Sequence, residues 1–217
     1  MSGTITAIRV QKKNPRRASI YLDGSFALGL GIEVVQDAGL RRGQALSDAD
    51  LEALRLAEAQ QRAYQAVLRL LNYRPRSTAE VRSHLLRRGY EEAQVTAAVA
   101  RFQELGLLDD RAFARTWVQD RQDLRPRGRQ GLAAELRRKG LAPEVIAEAL
   151  DEAVDEESEA AQALALARTR ARALAGVERS VFFRRLHGFL ARRGFAAEVV
   201  ARTVRQVWGE VSGEGSH

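Results

Sequence analysis

Val81-Arg-Ser-His-Leu85-Leu-Arg87-Arg88-Gly89 is the stretch that decides how this 217-residue chain folds. Its pattern returns as Leu132…Leu136…Arg138-Lys139-Gly140 and again as Leu186…Leu190…Arg192-Arg193-Gly194, at offsets of 51 and then 54 residues. The same offsets carry Val95 onto Ile146 and Val200, and Val99 onto Leu150 and Val204. A chain rich in arginine repeats a charge pair by chance, but four apolar columns and a glycine in one frame need a common structural cause. That cause is a tandem array of small helical units, which presents one surface several times along a line and suits a repetitive partner.

Composition narrows the field. Hydrophobic residues make up 45% of the chain, enough for packed cores despite 29% charge. The net charge of +7 and isoelectric point near 10.4 favour a polyanionic partner, with nucleic acid ahead of a membrane. A compositional bias toward arginine accounts for part of the excess but not for its sign. Cysteine is absent, which excludes disulfides, thiolate metal sites and a cysteine nucleophile. No apolar run approaches the roughly 20 residues of a membrane span, and no export signal is visible. A cytoplasmic location is the expectation, with Ser212–His217 as a frayed end.

Residues 4–35 read as extended. Ile5 to Val10, Ser19 to Leu22 and Phe26 to Leu28 form three short runs, with turns at Asn14-Pro15 and Asp23-Gly24. From Ser47 the period becomes helical. Ser47 opens a long helix, and Ser77-Thr-Ala-Glu80 is a capping box for the next. A further helix is predicted from about Glu91 to Leu105, and another capped by Asp109-Asp110 and running through Phe113 and Trp117. The remaining helices fall at about 128–139, 143–153, 156–175, 178–193 and 196–209. The expectation is an all-α protein of three tandem three-helix repeats with a small N-terminal antiparallel β element. Its domains would be 1–46 (β extension), 47–108, 109–154 and 155–210 (the three repeats), and a tail at 211–217. Residues 151–159 hold six acidic and no basic side chains, either a solvated junction or an internal anionic strip competing for the basic surfaces.

The basic doublets Arg87-Arg88, Arg138-Lys139 (with Arg137) and Arg192-Arg193 lie in the last turns of their helices, where the helix dipole favours cations anyway. Arginines at the opposite ends are more telling. Arg74-Pro75-Arg76 precedes the helix capped by Ser77, and Arg125-Pro126-Arg127, followed by Arg129, precedes its counterpart. Positive charge there opposes the dipole, whereas arginines and free helix amides together would hold a phosphate or a carboxylate. The third repeat keeps only Arg179 at that place. Between residues 111 and 140 there are nine basic and three acidic side chains, which makes the second repeat the strongest electropositive segment on paper. Phe113, Trp117, Phe182, Phe183, Phe195 and Trp208 read as core, and Tyr73 as an aromatic with a contact role. The histidines lack any ligand spacing, so no metal or other cofactor is expected. No nucleophile, base and oxyanion group assemble, so an enzyme is not expected.

Arg76-Ser-Thr-Ala-Glu80-Val81…Leu85-Leu-Arg-Arg-Gly89-Tyr90 is similar to the first-repeat signature of the RecX family of recombinase regulators. Leu108-Asp-Asp-Arg-Ala-Phe113-Ala…Trp117-Val-Gln-Asp-Arg121 and Arg127-Gly128…Leu132…Glu135-Leu136-Arg-Arg-Lys-Gly140-Leu141 resemble the segments that follow. The likeness covers roughly residues 60–205, and the third repeat joins it mainly through Leu186 to Phe195. The resemblance implies a non-enzymatic negative regulator that binds the RecA–DNA nucleoprotein filament. It would limit filament growth or destabilise the filament, lowering ATP hydrolysis, strand exchange and co-protease activity and so modulating DNA repair and the SOS response. The expected partners are the recombinase filament and, without sequence preference, single- and double-stranded DNA, met by a monomer and not by a membrane. Arg74, Arg76, Arg125, Arg127 and Arg129 are the expected contacts, supported by Arg87, Arg88, Arg137, Arg138, Lys139, Arg192 and Arg193. A stand-alone DNA-binding helical-repeat protein, like a transcription regulator, is the alternative, and a purely structural adaptor is a further one.

Overall fold

The computed structural model describes residues 2–212, which form two compact units. The first contains residues up to Arg76 together with Val81–Leu108. It opens with strands β1 (Gly3–Gln11), β2 (Asn14–Leu22) and β3 (Ser25–Gly31), followed by helix α1 (Ile32–Asp37) and strand β4 (Ala45–Leu46). The sheet is antiparallel in the order β3-β2-β1-β4. Asp23 and Gly24, at φ +46° and +86°, make the tight reversal expected between β2 and β3. The other reversal falls at Lys12-Lys13 instead of Asn14-Pro15. Pro15 lies inside β2, where the ladder skips from Asn14 to Ala18 and no proline N–H is needed. α1 and β4 were not foreseen: α1 has six residues, and β4 has two and exists only through its pairing with β1.

Helix α2 (Asp48–Tyr73) is capped reciprocally by Ser47 and Asp50. It serves two cores. Leu51 and Leu54 pack under the sheet with Ile5, Ile20 and Leu30, whereas Ala63, Ala66 and Val67 pack against α3 (Thr78–Arg87) and α4 (Glu92–Glu104). Glu58 stands between these cores, 7% exposed. Its carboxylate accepts from Arg17 at 2.5 Å, from Arg62 at 2.9 Å and from the Gly31 amide at 2.6 Å, so the buried charge is fully partnered.

The second unit runs from Asp109 onward and includes Ser77–Glu80. Helices α5 (Asp110–Leu124), α6 (Arg129–Arg138) and α7 (Pro143–Ala153) enclose one core. Helices α8 (Glu156–Ala171), α9 (Arg179–Arg192) and α10 (Ala197–Ser212), with a 3-10 turn at Arg172–Leu174, enclose another. All four apolar columns of the repeat are buried in every unit that carries them. The chain is thus mainly α, built of three-helix repeats beside a small antiparallel sheet. Of the tail expected at 211–217, Val211 and Ser212 close α10, and 213–217 lie outside the described residues.

The repeats of the second unit meet backbone to backbone. The Gly128 and Gly131 amides donate to the Arg193 and Gly194 carbonyls at 3.2 Å each. A Cβ on Gly128 would run into Phe195 Cα and Gly194 O, and one on Gly131 into Arg193 O. The equivalent corner is closed by a side chain instead, with Ser77 Oγ donating to Lys139 O at 2.6 Å.

Candidate interaction site

The arginines expected to bracket an anion stand at the N-termini of α3 and α6. Both N-termini are already filled by carboxylates of this chain. The Thr78 amide donates to Asp110 Oδ1 at 2.8 Å, and the Arg129 amide to Glu159 Oε1 at 2.9 Å. The anion that these amides hold is therefore internal, supplied by the first helix of the following repeat. Arg129 turns inward as well: Nη1 donates to Leu150 O at 3.0 Å, and Nη2 pairs with Asp151, which satisfies the C-terminal carbonyls of α7. Arg127 Nε pairs with Glu135 at 2.7 Å. Arg74 donates to Pro75 O, and Arg76 keeps a buried Nε without an acceptor. Arg125 alone of this group is exposed.

Glu135 is the hub of the second repeat and went unread in the sequence. It is 7% exposed, accepts from Trp117 Nε1 at 2.9 Å and Arg121 Nε at 2.8 Å, and pairs with the Arg127 charge. Burial pushes its carboxyl up. The hydrogen bonds from Arg121 and Trp117, with the charges of Arg121 and Arg127, outweigh burial and hold it below the ordinary glutamate value. The Trp117 ring stacks on Phe113 with centroids 5.7 Å apart, and it carries Arg121 at 4.3 Å and the Lys139 ammonium at 4.7 Å. The available signal was Trp117 and Arg121 at i, i+4 on one face, opposite a lone carboxylate on an otherwise apolar stripe.

The basic doublets divide. Lys139 pairs with Glu80 at 2.7 Å, and Arg193 Nη1 donates to Pro126 O at 3.0 Å, so both close repeat corners. Burial, then the charge of Arg127, lowers the Arg193 pKa. Arg87, Arg88, Arg137, Arg138 and Arg192 are exposed and make no ion pair among the described residues. The field of one doublet registers on His84, whose pKa is lowered by burial and then by Arg88, Arg87 and Arg76. Two large apolar side chains are also bared just before the Arg-Pro-Arg segments: Tyr73 at 83% and Leu124 at 77% exposure.

The charge balance of the second repeat differs from its linear count. Helix α7 and the segment after it bring carboxylates onto the arginines: Arg111 faces Glu148 at 3.3 Å, Arg115 faces Glu152 at 3.7 Å, and Arg129 faces Asp151. The acidic stretch 151–159 serves this unit in part: Asp155 caps α8 and Glu159 of α8 is buried at the N-terminus of α6, whereas Glu156 and Glu157 are exposed. Much of the positive charge that looked available in the second repeat is neutralised within it.

This arrangement of three-helix units matches known protein families. Residues 3–47 match a model described as the regulatory protein RecX N-terminal domain. Residues 63–102 match the first three-helix domain of RecX, and residues 109–150 the second. Together these span more than half of the chain. The chain belongs to the RecX family. It is similar to the regulatory protein RecX of Thermobifida fusca (strain YX), at 39% identity over 154 residues, covering 71% of this chain and 81% of that one. The protein of the same name from Clostridium botulinum (strain Eklund 17B / Type B) is 26% identical over 204 residues, covering 93% and 95%. A crystal structure of regulatory protein RecX superposes with a TM-score of 0.74 at 27% identity, covering 92% of this chain and 97% of that chain. RecX from Lactobacillus salivarius shares the fold, with a TM-score of 0.63 at 19% identity. The first RecX three-helix match contains the exposed Arg87-Arg88 corner, and the second contains the Glu135 hub with Arg137-Arg138. Family membership carries with it a regulatory role.

Proposed function

We propose that this protein is a negative regulator of a RecA-type recombinase. It binds the recombinase–DNA filament in the cytoplasm as a monomer and limits filament growth or loosens it. It acts by binding, without a reaction of its own. The observation that carries this reading is membership in a family whose characterised names are regulatory. Physical support comes from a basic corner offered repeatedly at Arg87-Arg88, Arg137-Arg138 and Arg192, as a periodic acidic partner requires. Arg125, beside the bared Leu124, and the Arg74–Arg76 segment, beside Tyr73, add mixed apolar and cationic contacts of the kind that anchor protein interfaces. Arg127, Arg129, Lys139 and Arg193 contribute by holding those corners in place. No described helix is long and apolar enough to cross a membrane.

The test is recombinase ATPase on single-stranded DNA with this protein titrated in. Half-inhibition below one copy per protomer is the expected result. No inhibition at excess protein, with DNA coverage checked independently, overturns the reading. Reversing Arg87, Arg88, Arg137 and Arg138 to glutamate should raise the half-inhibiting concentration about tenfold or more, the equivalent of ~1.4 kcal/mol, in a protein that still melts cooperatively.

A further inference from the structure

The third repeat looks weakest in the sequence, with Arg179 alone at the position where the others carry Arg-Pro-Arg. Folded, it bears the least compensated positive surface. Helix α9 carries Arg179, Arg184, Arg185 and Arg192 and no acidic residue, and α10 adds Arg202 and Arg205. All six are exposed, and among the described residues none takes part in an ion pair. Of the two carboxylates on α10, Glu210 is held by Arg168, and Glu198 makes no ion pair with these arginines. The contrast with the second repeat is direct: there Glu148, Asp151 and Glu152 answer the arginines of the neighbouring helices.

Between α9 and α10 lies an open groove of about 340 Å³ lined by Phe183, Arg184, His187, Ala201, Val204 and Arg205. Its floor is apolar and its rim is cationic on both helices. The half-buried Phe183 ring meets Trp208 edge-on at 6.0 Å and Phe182 in a tilted contact at 6.4 Å, and both brace the platform. The Arg179 guanidinium lies over the Phe183 ring, 5.4 Å from its centroid, so it covers one face and leaves a base the part of the ring that lines the groove. A braced aromatic ring between unpaired arginines is the combination that holds a single strand, with a base on the ring and phosphates on the guanidiniums. A duplex hides its base faces, an acidic peptide makes no use of the ring, and a lipid surface needs bared apolar side chains, of which Val211 is the one large example among the described residues of this repeat.

We propose that the α9–α10 groove binds single-stranded nucleic acid, with one base against Phe183 and flanking phosphates on Arg184 and Arg205. This deepens the filament reading, on which it rests for the identity of the strand as DNA.

The test uses the full chain without recombinase, measuring fluorescence anisotropy of a labelled oligothymidine at several salt concentrations. The Arg184→Ala/Arg205→Ala variant should lose about tenfold or more in affinity, and its log–log salt slope should fall by about 1.4, as expected for two phosphates on a single strand. Phe183→Leu, which keeps an apolar side chain in place, should lose about fivefold or more with the salt slope unchanged. Wild-type affinity in both variants overturns the proposal. So does equal affinity for a duplex of the same length, or equally effective competition by polyglutamate of the same charge. ATPase inhibition is read separately on the same proteins. Inhibition by a wild type whose groove variants bind DNA normally removes the groove and leaves the filament reading. Groove-dependent binding without inhibition removes the filament reading and leaves the groove.

Discussion

At the scale of single residues, the sharpest consequence comes from Glu135. Its carboxylate is buried, accepts from Trp117 and Arg121, pairs with Arg127, and is held below the ordinary glutamate pKa. A depressed folded-state pKa means that the stabilisation is present above the unfolded value and is lost as pH falls through the folded one. Glu135→Gln should therefore destabilise the protein at neutral pH. Arg121 and Arg127 keep access to water, so the loss is about 2–3 kcal/mol, below the range for a fully enclosed pair. Urea melts at about pH 7 and about pH 3 should show the gap between wild type and variant closing on acidification. A gap of the same size at both values sinks this account. The Arg125, Arg127 and Arg129 cluster, so legible as a linear motif, is likewise settled one residue at a time. Arg127 and Arg129 are tied to Glu135 and to the end of α7, and substituting them tests folding before it tests binding.

At the scale of elements, α6 and the turn after α9 meet through glycine backbone. Gly194 takes φ +78°, and its carbonyl and that of Arg193 receive the Gly131 and Gly128 amides. A side chain at Gly131 meets a backbone carbonyl, which has no rotamer through which to yield. Gly131→Ala should cost about 1–3 kcal/mol by overpacking and lower the melting temperature by about 2–4 °C for each of those. Gly209→Ala serves as the control. An added Cβ meets nothing within 4 Å there, and helix propensity favours alanine, so its melting temperature should hold or rise. Identical melting curves for Gly131→Ala and wild type would show that the junction is looser than described. The helices themselves were legible beforehand: the opening at Ser47, the capping box at Ser77 and the Asp109 cap all fall where their side chains require. α1 and β4 were not, because six and two residues carry too little periodicity to stand out.

At the scale of the whole molecule, a net charge of +7 predicts affinity for DNA that falls steeply with salt. Which arginines supply it depends on their neighbours, not on their number. Replacing Arg111 and Arg115 with alanine, whose charges face Glu148 and Glu152, should leave the salt slope of duplex binding unchanged. Replacing the exposed Arg137 and Arg138 should lower it by about 1 for each phosphate no longer neutralised. Salt titrations of the two double variants give the comparison, and an equal fall in both would mean that the surface pairs open on binding.

The sequence by itself determined the repeat, the buried columns at Val81, Leu132 and Leu186 and their companions, the starts of the longer helices and the family, because these rest on local periodicity and on caps within a few residues of each other. Tertiary structure alone decided which charges are spent internally and which face out. Glu159 reaches the Arg129 amide across 30 residues, Lys139 meets Glu80 across 59, and Arg193 meets Pro126 across 67. Linear charge counts therefore singled out the second repeat, while the fold left the bare arginines on α9 and α10. The reason is physical: apolar periodicity is fixed along one helix, whereas the worth of a charge is set by whatever other segment packing brings within about 4 Å of it.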